Sequence, residues 1–171
     1  MNEKAITLRI ACSADARAIA IMSRDHIESG LGWKYHPARI LRALRNRDTL
    51  TVAACERSGI VGFAIMEFGD ERAHLVLLAV QPSRRRLGIG RRMVEWLVDS
   101  ALTAGIASIH LELRAGNEAA RGFYRAMGFS ETLLVPGYYQ GREPALRMLR
   151  MLRSPGIAAY SWRPPTTRER K

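Results

Sequence analysis

Residues 75–98 read LVLLAVQPSRRRLGIGRRMVEWLV, and this stretch decides the fold. Leu75 to Val80 is an unbroken apolar run, the length and composition of a buried strand. Pro82 ends it, because proline has no N–H to give to a sheet. From Gly90 to Leu102 the period changes. Met93, Val94, Leu97, Val98 and Ala101 then share one face of a helix of about three turns. Between strand and helix lie Arg84-Arg85-Arg86-Leu87-Gly88-Ile89-Gly90-Arg91-Arg92. Two glycines let a ligand approach the backbone closely, and first-turn amides have no helical acceptor. The helix dipole adds partial positive charge, so such a corner binds phosphate or pyrophosphate. A Walker A loop is excluded, since Arg91 follows Gly90 where lysine is required. A dinucleotide fingerprint is excluded because its third glycine is missing.

Outward from this corner, alternating segments and turn residues define the other elements. Ile6 to Ile10 reads as a strand, and Ser13 as the cap of a helix reaching to Gly30. Pro37 suits the first turn of a second helix with Ile40, Leu41 and Leu44 on its apolar side. Leu50 to Cys55 and Ile60 to Phe68 form a hairpin about Ser58-Gly59, followed by the strand Ala73 to Val80. Ser108 to Leu113 is a strand with Ile109, Leu111 and Leu113 on one side and His110, Glu112 and Arg114 on the other. Asn117 caps a helix running to Met127, and Glu131 to Val135 and Pro144 to Leu152 close the series. The predicted order is β-α-α-β-β-β-α-β-α-β-β.

Length and composition bound the rest. A chain of 171 residues, 47% apolar and 25% charged, is one globular domain with a core of its own. We expect residues 1–153 to form that domain and 154–171 to be a basic, proline-containing tail. No apolar run approaches the roughly 20 residues of a membrane helix, and Met1 to Lys4 opens no secretory signal. Cys12 and Cys55 lack any partner motif and read as reduced thiols in the cytoplasm. His26, His36, His74 and His110 are scattered, and no metal site is expected. The net charge is +11, and only Lys4, Lys34 and Lys171 of its 27 basic residues are lysines. Arginine favours phosphate and carboxylate partners, so an anionic ligand is one reading and a nucleic-acid-binding module using the basic tail another.

Three motifs in order then carry a resemblance. Arg85-x-x-Gly88-x-Gly90 resembles the R/Q-x-x-G-x-G/A signature of the GCN5-related N-acetyltransferase (GNAT) family. Leu111 to Asn117 and Gly122 to Phe129 resemble that family's "L-E-V-R-x-x-N…L-Y-x-x-x-G-F" half. The likeness runs over about residues 6–152 and is most similar to the bacterial ribosomal-protein alanine N-acetyltransferases. It implies one GNAT-like α/β (α+β) domain, a mixed central sheet of six to seven strands flanked by four helices.

The resemblance also implies a site. Arg85, Arg86, Leu87, Gly88, Ile89, Gly90 and Arg91 would bind the pyrophosphate of acetyl-CoA, and Leu78, Ala79 and Val80 would pair with its pantetheine arm. A backbone N–H near Val80 would face the developing oxyanion. Glu112 would be general base and Tyr124 general acid. The acceptor would be a primary amine, such as a protein N-terminal α-amine, with a small amine or amino-acid derivative as alternative. A homodimer is common among such enzymes.

From the residues alone, partial burial would raise the Glu112 pKa towards about 6–7, while pairing with Arg114 or another arginine would lower it. Tyr124 is either an acid or a core aromatic beside Phe123 and Phe129, and Asn117 either a cofactor contact or only a helix cap. Trp33, Tyr138 and Tyr139 either line an acceptor cleft or pack. No Ser/His/Asp or Cys/His set stands out, which favours direct attack in a ternary complex over an acyl-enzyme.

Overall fold

The computed structural model describes residues 5–153, so the expected tail at 154–171 lies outside the described residues. Its strands are β1 (Thr7–Ile10), β2 (Thr49–Glu56), β3 (Gly59–Phe68), β4 (Arg72–Val80), β5 (Ser108–Arg114), β6 (Ser130–Tyr139) and β7 (Glu143–Met151). Its α-helices are α1 (Ala16–His26), α2 (Pro37–Arg45), α3 (Ile89–Thr103) and α4 (Glu118–Ala126). The element order is the one predicted. The boundaries differ most at β6, which continues past Val135 to Tyr139 across register shifts, and at α1, which stops at His26 rather than at Gly30. Ser13 caps no α-helix; it opens a short 3-10 turn, and α1 starts after Asp15. The Asp15 carboxylate accepts from the Cys12 amide at 2.7 Å and is gripped by both Nη atoms of Arg9. A stronger acceptor two residues along has displaced the serine.

The strands form a seven-stranded sheet in the order β1-β2-β3-β4-β5-β7-β6. Neighbours are antiparallel except β4 and β5, which α3 joins as a parallel crossover. One face carries α1 and α2 over Ile19, Ala20, Ile40, Phe63, Ile65 and Leu77. The other carries α3 and α4 over Ala64, Met66, Met93, Leu97, Leu111 and Tyr124. Both faces of β3 are therefore buried, which is why its middle reads apolar at every position.

Two irregularities open the middle of the sheet. The β3–β4 register steps from Ile65↔Leu77 to Met66↔Leu75, leaving Val76 as an extra residue on β4. Such a bulge increases local twist. Across the sheet, β4 and β5 are paired only from Arg72↔Ser108 to His74↔His110. Beyond His74 the two strands separate, while β4 stays bonded to β3 as far as Val80↔Gly62. The result is a V-shaped gap with β4 on one side and β5 on the other.

Candidate active site

The gap is the floor of a cleft of about 620 Å³. Its walls come from the 26–35 loop after α1, from Leu75 to Leu78 of β4, from Glu112 to Arg114 of β5, from α4, and from the β6–β7 hairpin at Tyr138 to Gln140. Gln81 donates its N–H to Val61 of β3 at 2.8 Å. Alternation along β4 then turns the amides of Leu78 and Val80 away from β3, towards the gap. These are unused donors on an open strand edge, a site to which an extended chain can add.

At the far end of β4 lies the arginine–glycine corner. Gly88 precedes α3 with φ +74°, a left-handed conformation that glycine adopts without steric cost. No side chain caps the helix, and among the described residues no protein acceptor pairs with the amides of residues 86–91. A Cβ built on Gly88 would meet nothing within 4 Å, so the space above these amides is open. Gly90 has the opposite environment: a Cβ there would sit 3.4 Å from Phe123, where α3 approaches α4. The arginines divide by partner. Arg84 is tied to Glu56 at 2.9 Å, Arg92 to the Ile6 carbonyl, and Arg85 to the Val80 carbonyl through Nε at 3.1 Å. Arg86 and Arg91 are exposed, the latter 3.8 Å from Glu95. Bare amides beside the exposed Arg86 and Arg91 fit a diphosphate, and the β4 edge leading from them fits an extended arm. The Ile89 side chain is buried in the core, and Ala79 faces α1, so only their backbones could contribute.

The reacting-centre candidates lie in the cleft itself. Glu112 has only 8% of its side chain exposed. Its Oε1 accepts from Arg147 Nε at 2.9 Å and its Oε2 lies 2.7 Å from His74 Nε2. The hydrogen bond with His74, and then the one from Arg147, hold its pKa down to about 2, overcoming the desolvation that would raise it. The expected rise towards 6–7 is thus reversed. The arginine responsible is Arg147, which the β5–β7 register sets directly opposite Glu112; Arg114 is turned elsewhere.

Tyr124 is buried on α4, edge-on to Phe123 and Phe129, and also lines the cleft. Packing and access coexist. Burial pushes its phenol well above the ordinary tyrosine range, and no protein group among the described residues accepts its proton. Asn117 caps α4, its Oδ1 accepting from Ala120 N at 3.1 Å, and it too lines the cleft. Tyr138 and Tyr139 stand edge to face on the hairpin wall, and desolvation pushes Tyr139 up to about 12. Trp33 does not line the cleft. It is exposed under the Arg24 guanidinium, and Tyr35 occupies the wall in its place.

Several cleft residues escaped sequence reading. Glu28 is buried and accepts from Ser23 Oγ and from the amides of Lys34 and Tyr35, folding the loop after α1 around one carboxylate. Arg114 donates to the carbonyls of Ile27 and Ser29. His74 and Arg147 reach Glu112 from neighbouring strands. Only the alternation of His110, Glu112 and Arg114 on β5 hinted that this face carried polar groups. The described residues contain no group of side chains suited to a metal ion, and no helix long and apolar enough to cross a membrane.

Comparison with known proteins shows the family and the fold. The family model described as Acetyltransferase (GNAT) family matches residues 19–129. A ribosomal protein bS18-alanine N-acetyltransferase of Salmonella typhimurium is 38% identical over 92 residues, which are 52% of this chain and 62% of that relative. The chain therefore spans less than two thirds of the length of the curated relative it matches. The crystal structure of the ribosomal-protein-S18-alanine N-acetyltransferase from Escherichia coli superposes with TM-score 0.78 at 26% identity, covering 91% of this chain and 99% of that one. Arabidopsis thaliana NAA60, solved in complex with acetyl-CoA, shares the fold with TM-score 0.77 at 16% identity, covering 86% and 99%.

Proposed function

The chain belongs to the GNAT acetyltransferase family, and from that premise we propose that it transfers the acetyl group of acetyl-CoA to a primary amine, a protein N-terminal α-amine in the bacterial cytoplasm. The observation that carries this reading is the gap itself. The cleft holds Glu112 and Tyr124 and reaches Leu78 of β4, and the same strand, unpaired with β5 beyond His74, leads on to the bare amides before α3.

In this reading, the amides of residues 86–91 with Arg85, Arg86 and Arg91 hold the diphosphate, and the backbone of Leu78 to Val80 aligns the pantetheine arm. Asn117 borders that arm while capping α4. Acetyl-CoA supplies a thioester carbonyl as electrophile and a thiol as leaving group. The amide of Val80 faces the carbonyl oxygen, where one such donor contributes roughly 3–4 kcal/mol in other acyl transfers. Tyr124, kept protonated by burial, gives its proton to the departing sulfur. Glu112 remains an anion at working pH, so it attracts the acceptor ammonium and orders it between Tyr35, Tyr138 and Tyr139.

Electrostatics favour an α-amine. Neutralising it at pH 7 costs about 1 kcal/mol, against about 5 kcal/mol for a lysine amine. A carboxylate that titrates near 2 is a poor direct base, so the easier acceptor suits this cleft. The 38% and 26% identical relatives are named as alanine N-acetyltransferases of a ribosomal protein, which supports a protein acceptor here too. Free Cys12 and Cys55 suit a reducing compartment.

The test is thiol release from acetyl-CoA with short peptides beginning in alanine. A free N-terminus should be acetylated, and the same peptide blocked at its N-terminus should not. Release with a small-amine panel alone would redirect the acceptor, and no release with any amine would overturn the transferase.

A further inference from the structure

We propose that His74 is the group that takes the proton from the acceptor amine, with Glu112 as its orienting partner. This rests on the transferase reading above and deepens it. Both oxygens of Glu112 are engaged, Oε1 by Arg147 at 2.9 Å and Oε2 by His74 at 2.7 Å. A carboxylate oxygen can only accept, so Nε2 carries the proton of this bond, and in the neutral ring Nδ1 is then the free acceptor. Among the described residues no protein group bonds to Nδ1, and His74 lines the same cleft as Glu112 and Tyr124. Its side chain is 31% exposed against 8% for Glu112, so it is the more accessible member of the pair.

The setting supports an imidazole held in place. His110 stacks against it with centroids 4.4 Å apart and planes 6° apart, restricting rotation of the ring. Burial is the largest cause that pushes the His110 pKa down, which disfavours a charge on the ring stacked against His74. The charged groups around the pair are Glu112 on β5, Arg147 on β7 and Arg72 on β4 itself, with Glu67 opposite His74 in the β3 register. The carboxylate is the anion in contact with the ring, and it stabilises the imidazolium formed when a proton arrives.

The proton balance is complete. The acceptor enters as an ammonium and gives one proton to His74 Nδ1, and its freed electron pair forms the C–N bond. The C–S bond breaks, and Tyr124 gives its proton to the thiolate. The proton still carried by the new amide nitrogen restores the Tyr124 phenol through water. His74 releases its proton to solvent, so one thiol, one amide and one free proton result.

The decisive experiment joins His74→Gln kinetics to nitrogen-15 NMR of the wild-type imidazoles. Glutamine can still donate to Glu112 but cannot take a proton at neutral pH. We expect kcat to fall about 10²-fold at pH 7 with acetyl-CoA affinity unchanged. The acid limb of kcat/KM should move from its wild-type position and follow the free amine, whose own titration lies near pH 8. A variant with wild-type rate, or one slowed with its pH profile unmoved, would overturn the proposal. The NMR arm needs no turnover and no variant: it should find His74 protonated at Nε2 and bare at Nδ1. The opposite tautomer would sink the idea even where His74→Gln fails to fold. Wild-type protein that acetylates nothing but shows the expected tautomer would reject the transferase, and with it this role, while leaving the pair itself intact.

Discussion

Arg114 Nη2 lies 2.6 Å from the carbonyl oxygen of Ser29, joining the end of β5 to the loop after α1 across 85 positions of chain. The same guanidinium reaches the Ile27 carbonyl, lies 3.6 Å from Glu143, and sits over the Tyr139 ring. One side chain thus ties together two walls of the cleft, the loop after α1 and the β6–β7 hairpin. Arg114→Ala should release the loop from the hairpin. We expect acceptor KM to rise about tenfold, equivalent to roughly 1.4 kcal/mol, with acetyl-CoA affinity unchanged. Steady-state kinetics and calorimetry check this; equal losses for both ligands would show a general unfolding instead.

Tyr124→Phe keeps the packing against Phe123 and Phe129 and removes only the hydroxyl. The melting temperature should therefore change little. Turnover should fall about 10²-fold or more if the phenol protonates the leaving sulfur. An unchanged kcat would reduce Tyr124 to a packing role.

Glu112 titrates at about 2 when folded, below its ordinary value near 4.5. A group with a depressed folded pKa stabilises the native state in full above its unfolded pKa, and that contribution disappears as pH falls through the folded one. Wild-type protein should accordingly exceed Glu112→Gln in urea midpoint at pH 6, and the gap should close between about pH 4.5 and 2. A gap of constant size across this window would show that Glu112 is not the group responsible.

At Gly88 the backbone has φ +74°, and an added Cβ would point into open space. Gly88→Ala should cost about 1–2 kcal/mol from conformation alone, seen as a lower melting temperature. It also places a methyl group over the amides proposed to hold the diphosphate. Acetyl-CoA affinity should fall about tenfold or more, and unaltered calorimetric affinity would move the diphosphate elsewhere.

Much of this architecture could be read residue by residue. Pro82, the Gly88–Gly90 turn and the apolar face of α3 each act within a few positions, and the structure contains the strand, corner and helix they imply. Asn117 reads as a cap because its oxygen reaches only three residues along. Ser13 misled for a related reason: a local preference was overridden by Asp15, whose partner Arg9 belongs to another element. Trp33 could be read either way because an aromatic in a loop has no periodicity to say which way it faces, and the structure leaves it outside the cleft lining.

The sequence by itself determined the order of elements, the arginine–glycine corner before α3 and the polar face of β5, since each follows from backbone preference and side-chain period over short spans. Only tertiary structure decided the chemistry inside the cleft. Glu112 meets His74 across 38 positions and Arg147 across 35. Those meetings depend on which strands are neighbours, on their register, and on where β4 and β5 part. A carboxylate's proton affinity is set by the charges within a few ångströms of it, and strand pairing, not chain position, brought them there.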